Sequence, residues 1–144
     1  MEIRFGTYTL YQETILALIE NPDSYRLVKR NCTNNDNTFI KYTENIFYKD
    51  VLKKEINNAF FIKTKCLYKK NEFDLQSIEN NIALIVTDDK NAFNELNLEL
   101  RDRGVYQLSV NKSDLEKVWE VRSKSSLQLP FPMNLKIIEE LDVP

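Results

Sequence analysis

Short stretches of alternating apolar and polar residues recur along this chain and predict a protein made mostly of strands. Residues 2–5, ended by Gly6, and residues 7–11 are β-rich. Residues 13–20 carry Ile15, Leu16, Leu18 and Ile19, a run that fits a short helix as well as a buried strand. Residues 25–30 and 38–43 read as strands around a polar loop at 31–37, a hairpin with a long tip. Residues 61–68 form a strong strand. A turn at 69–72 follows, with Asn71 expected at positive φ, and Phe73 and Leu75 alternate on the returning strand. The most apolar run, 82–86, predicts a central strand. Residues 105–110 alternate and are β-branched at both ends, after an Arg103-Gly104 turn.

Three segments predict short helices. Asp88 or Asp89 is placed to cap one that carries Ala92, Phe93 and Leu96. Ser113-x-x-Glu116 has the form of a capping box, and Leu115, Val118, Trp119 and Arg122 follow at helical spacing, so a helix is expected over 113–122. Residues 134–143 carry Leu135, Ile138 and Leu141 and predict a terminal helix, after an edge strand at 127–130 limited by Pro130 and Pro132. The expected fold class is α+β: a mostly antiparallel sheet with two or three short helices. At 144 residues, one domain spanning 1–144 is expected.

The pattern repeats. Phe47, Val51, Lys53, Glu55, Ile56, Ala59 and Phe60 match Tyr106, Val110, Lys112, Asp114, Leu115, Val118 and Trp119 without a gap, always 59 residues apart. This echo is compatible with a duplicated strand–helix unit, and with coincidence in a Lys-rich chain.

Composition removes whole classes of chemistry. Histidine is absent, so there is no Ser-His or Cys-His pair and no imidazole ligand. Two glycines exclude a Gly-rich phosphate loop. No apolar run approaches a membrane span, and the first residues lack the form of an export signal, so a cytoplasmic protein is expected. Cys32 and Cys66 show no paired spacing and read as reduced thiols. No cofactor and no metal is called for. The adjacent acids Asp88-Asp89 and Glu139-Glu140 point apart on a helix or strand, which argues against a carboxylate enzyme.

Charge is segregated although the net value is only −2. Residues 49–70 hold seven lysines against two acids, and residues 71–102 hold eight acids against two cations. Such asymmetry steers association with charged partners, and it also describes two solvated faces. Lys49, Lys53, Lys54, Lys63, Lys65, Lys69 and Lys70, with Tyr48 and Tyr68, suggest a nucleic-acid surface. A pI near 5.3 argues against it.

One resemblance adds to this reading. Phe60-x3-Thr64-x-Cys66-Leu67-Tyr68-x4-Phe73, then Asp102-Arg103-Gly104-Val105-Tyr106-x3-Val110-x2-Ser113-Asp114-Leu115, ending in Glu120-x-Arg122, resembles the pattern of bacterial toxin-immunity proteins. Lys69-Lys70-Asn71 stands where that pattern has a turn glycine. The resemblance implies a non-enzymatic protein that binds one cognate toxin domain, in many cases a nuclease, and occludes its active site. The partner-binding candidates are then the acids Glu72, Asp74, Asp88, Asp89, Glu95, Glu99 and Asp102, with Tyr68 and Tyr106 as aromatic anchors or core residues.

Overall fold

Alternation prevails over helical spacing almost everywhere. The computed structural model describes residues 2–30 and 36–142. Among them are twelve strands: β1 Gly6–Tyr11, β2 Thr14–Glu20, β3 Ser24–Arg30, β4 Ile40–Thr43, β5 Ile46–Leu52, β6 Phe60–Tyr68, β7 Asn71–Glu79, β8 Ile82–Thr87, β9 Glu99–Asp102, β10 Val105–Asn111, β11 Lys117–Lys124 and β12 Ile138–Leu141. One α-helix, α1 Lys90–Leu96, and two 3₁₀ turns, Lys53–Glu55 and Lys112–Asp114, complete them. The fold is therefore largely all-β, which corrects the α+β expectation.

The helix expected over 113–122 is the clearest error. Asn111, not Ser113, precedes the 3₁₀ turn, and no side chain caps it. Glu116 Oε1 accepts the Lys70 N–H at 2.9 Å instead of reaching back to Ser113. The chain then extends into β11, whose inward side chains are Val118, Glu120 and Arg122. A strand that turns two charges inward hides its period of two, and the apolar spacing that remained imitated a helix. The same correction applies to 47–60, which is β5, a 3₁₀ turn and the start of β6. Residues 138–141 of the expected terminal helix form β12, and residue 143 lies outside the described residues. Residues 2–5 and 127–130 are not strands.

Pairing is antiparallel throughout, in the order β4-β5-β3-β2-β1-β6-β7-β8-β10-β9, with β11 on the other edge of β6 and β12 beside β11. The expected 25–43 hairpin is absent, because β5 lies between β3 and β4. Residues 31–35 of its tip, with Cys32, are outside the described residues. Positive φ in the β6–β7 turn falls on Lys69 and Lys70, not on Asn71.

The echo at 59 residues is structural, but its unit is a strand hairpin followed by a 3₁₀ turn and a strand. In β4–β5 the partners are Ile40↔Tyr48, Lys41↔Phe47 and Thr43↔Ile46; in β9–β10 they are Glu99↔Gln107, Leu100↔Tyr106 and Asp102↔Val105. Every pair is shifted by 59, and both hairpins bulge at the same place, at Tyr42 and at Arg101. Buried positions correspond too: Phe39 with Leu98, Val51 with Val110, Ile56 with Leu115, and Ala59 with Val118. The two hairpin turns need a residue in the left-handed region, filled by Asn45 (φ 65°) in one and Gly104 (φ 71°) in the other. Gly104→Asn is therefore expected to be nearly neutral, and Gly104→Val to cost about 1–2 kcal/mol in a urea melt.

Each half has its own core. Leu16, Leu18, Tyr25, Leu27, Phe39, Val51, Ile56 and Ala59 fill the first, and Cys66, Phe73, Leu75, Ala83, Ile85, Val110, Leu115 and Val118 are central to the second, with Ala92 of α1 on top. Strand β6 belongs to both. Its N-terminal residues pair with β1 and its C-terminal residues with β7, while β11 runs along its whole other edge.

Candidate functional site

The inner face of each half is core, and at the β1–β6 end of the first half the other face is packed as well, with Tyr8, Phe60 and Ile62 against Phe131 and Leu135; the rest of the outer faces carries what chemistry the molecule offers. Directly opposed residues share a face of an antiparallel sheet, which makes the faces readable from the register. Across the first half runs the row Ile40–Tyr48–Val28–Ala17–Tyr8. The row in the same topological place in the second half is Glu99–Gln107–Val86–Asp74–Lys65. One scaffold thus presents two different surfaces.

The second-half face is acidic. Glu72, Asp74, Asp88 and Asp89 converge with Lys63 and Lys65 around a depression of about 400 Å³ floored by Val86 and Val105. Asp74 meets Lys63 at 3.0 Å and Lys65 at 3.3 Å, and Glu72 meets Lys65 at 3.1 Å. Burial alone would lower the Lys65 pKa, but Glu72 and Asp74 raise it, so this lysine stays charged. Asp88 and Glu99 are exposed and make no ion pair among the described residues. Asp89 Oδ1 accepts the Asn91 N–H at 2.9 Å and caps α1.

The other candidates lie elsewhere. Glu95 is exposed on α1, which covers the opposite, inner face. Asp102 Oδ1 accepts the Arg103 N–H at 2.7 Å in the β9–β10 turn. Tyr68 is buried, edge-on to Phe73 at 6.3 Å. Tyr106 stacks on Phe93 at 4.3 Å and packs against the second core. Both tyrosines are packing residues, which removes them as exposed anchors. The lysines of 49–70 do not form one stripe. Lys63 and Lys65 sit among the acids, Lys53 pairs with Glu20 at 3.2 Å, and the Lys49 ammonium lies 5.7 Å from the Tyr11 ring. Glu139 and Glu140 face different lysines, Lys136 and Lys117, and form no dyad.

The first-half face is a groove that the sequence reading missed. Two depressions of about 250 Å³ and 260 Å³ adjoin at Val28 and Arg30, which line both, and together make up this groove, a channel along the face. Its walls carry Arg4, Arg26 and Arg30 with Tyr8, Tyr42 and Tyr48. Arg26 is held by Asp50 at 2.7 and 3.0 Å and lies 4.3 Å over the Tyr48 ring. Burial, and next to it Glu2, push the Tyr8 phenol up, so it stays protonated. The signal was available: Arg26, Val28 and Arg30 alternate along β3.

A buried ion cluster anchors the end of this groove. Glu120, 1% exposed, accepts from Arg4 Nε at 2.7 Å and Nη2 at 2.9 Å, and from Arg122 Nη2 at 2.8 Å. Burial would raise the Glu120 pKa, but the two guanidinium groups outweigh it and hold the carboxyl below its ordinary value. Arg122 also donates to the Lys136 carbonyl at 3.1 Å. Cys66 is a buried free thiol that burial pushes up to about 12, which leaves it unreactive. No helix is long and apolar enough to cross a membrane among the described residues.

A family model matches residues 3–126, from the segment before β1 to just past β11. The chain belongs to the family described as uncharacterised conserved protein UCP033725. The matched span contains both repeats, both outer faces and the Arg4–Glu120–Arg122 cluster, and it stops before β12. No curated protein and no solved structure matches the chain.

Proposed function

We propose that this member of the family is a non-enzymatic, cytoplasmic binding protein of the immunity type, which neutralises a cognate toxin domain by covering its active site. The observation that carries the reading is the convergence of Glu72, Asp74, Asp88 and Asp89 on one depression, with Glu99 in the same cross-strand row as Asp74. Nuclease toxins bind a polyanion and present cationic clefts, which an acidic face complements. The resemblance in residues 60–122 supports the same class of partner. Asp88 and Glu99 are the acids best placed to act at long range, because no lysine neutralises them among the described residues.

The test is co-purification with the toxin domain encoded beside this gene, followed by association kinetics. The double variant Asp88→Lys with Glu99→Lys touches only exposed side chains and is expected to fold. Its association rate should fall about tenfold at low salt, with the difference closing as salt is added. An unchanged rate at low salt removes the acidic face from the interface. A tight complex in which the toxin remains active contradicts occlusion.

A further inference from the structure

The groove on the first half points to a second site, and its chemistry is that of a nucleotide. Three features lead there. First, Arg30 is exposed on the channel and makes no ion pair among the described residues, while Arg26, four positions before it on the same face of β3, is neutralised by Asp50. Among the described residues the channel therefore holds a guanidinium without an ion-pair partner, with Glu2 the one acid in the lining it shares with Arg4, and a guanidinium is the group best suited to a phosphate. At its far end Arg4 gives Nε and Nη2 to Glu120, which leaves Nη1 without a protein partner among the described residues. Second, Tyr42 is 72% exposed yet lines the channel, and it has no ring or cation partner among the described residues. It is the residue at the β4 bulge, and a bulge re-aims a side chain. Its ring and the guanidinium-stacked ring of Tyr48 give a planar group two surfaces to lie against. Third, the floor between them is apolar, made by Ile19, Val28 and Ile46.

The second half serves as an internal control. Opposite the same scaffold positions it has Gln107 for Tyr48 and Glu99 for Ile40. Its bulge residue Arg101 is tied to Gln76, whereas Tyr42 is left open over the channel. The fold itself does not require arginines and tyrosines here, so their concentration on one face is a property of that face. The row from Tyr48 to Tyr8 crosses three strand spacings, roughly 14 Å, so the channel is longer than a lone anion needs. The geometry points to a ligand made of nucleotide units, its phosphate on Arg30 and its base against Tyr42 and Tyr48, either free or within a single strand.

The experiment is fluorescence anisotropy with a labelled twelve-nucleotide oligothymidylate, with thymidine monophosphate as a competing free nucleotide. The full chain is used, with Arg30→Glu, Tyr42→Ala and the acidic-face double variant beside it. Arg30 and Tyr42 are exposed, so both single variants should keep the wild-type circular dichroism and melt. The expected result is saturable, salt-sensitive binding that each single variant weakens about tenfold and the acidic-face variant, which only adds positive charge, does not weaken. Full competition by the mononucleotide assigns the free form. Binding of the strand without competition assigns the strand. Either supports the site. No binding of either probe overturns it, as does binding indifferent to Arg30→Glu and Tyr42→Ala. A heparin oligosaccharide that binds as tightly and loses nothing in Tyr42→Ala also overturns it, since a base-free polyanion would then suffice.

Discussion

Glu120→Gln should destabilise the protein by about 3–5 kcal/mol in urea titration, because it leaves Arg4 and Arg122 without their counter-charge at a site water hardly reaches. The loss is larger than for any surface pair here. Lys41–Glu44 joins two exposed side chains at 3.3 Å, and breaking it should cost well under about 1 kcal/mol. Glu120 also ties together three distant pieces of chain: the segment before β1 through Arg4, β11 itself, and residues 136–137 through Arg122. Replacing Arg4, Glu120 and Arg122 together by methionine should recover much of the loss, since an apolar cluster of similar volume leaves no charge unpaired.

The same carboxylate gives the protein an acid limit. The Glu120 pKa is depressed in the folded state, so its contribution is fully present above the unfolded value of about 4.3 and fades as pH falls through the lower folded value. Wild-type stability should therefore drop below about pH 4 more steeply than that of Glu120→Gln. Parallel pH profiles of the two proteins would disprove the linkage.

Phe60→Ala is the second large effect, about 3–5 kcal/mol. Phe60 has no exposed surface, lies opposite Tyr8 of β1 and Lys124 of β11, and meets the Phe131 ring at 5.9 Å. Both flanking strands are fixed by backbone pairing and cannot close over the space. Trp119 occupies the matching position in the second half but is only partly buried, with the Lys117 ammonium 5.7 Å from its ring. Trp119→Ala should therefore cost clearly less than Phe60→Ala although more atoms are removed. Equal losses in thermal melts of the two variants would contradict the burial argument.

Much of the scaffold was legible because its signals are local. The apolar run that became β8, the alternation of β10 and the Asp89 cap of α1 each need fewer than ten neighbouring residues to read. The echo was legible as well, since equivalent strands keep equivalent inward residues such as Val51 and Val110. What failed was non-local. Glu120 and Arg122 look like a polar face until Arg4, 116 residues away, arrives to pair with them. The acidic segment showed as composition, but composition does not say which side of a strand a residue takes. Glu72 and Asp74 alternate with buried Phe73 and so share the outer face, whereas Glu95 is carried away on α1. The groove was hardest to see, because Tyr48, Val28, Ala17 and Tyr8 become neighbours only through the strand order.

Strand β6 has a consequence for how the two faces work together. No flexible connection separates the halves, since the last strand of one is continuous with the first strand of the other and β11 splints it from Phe60 to Leu67. The angle between the two outer faces is set by strand twist and does not vary as it would across a hinge. Whatever occupies one face is therefore held at a fixed bearing to whatever occupies the other, as on the two arms of a bracket.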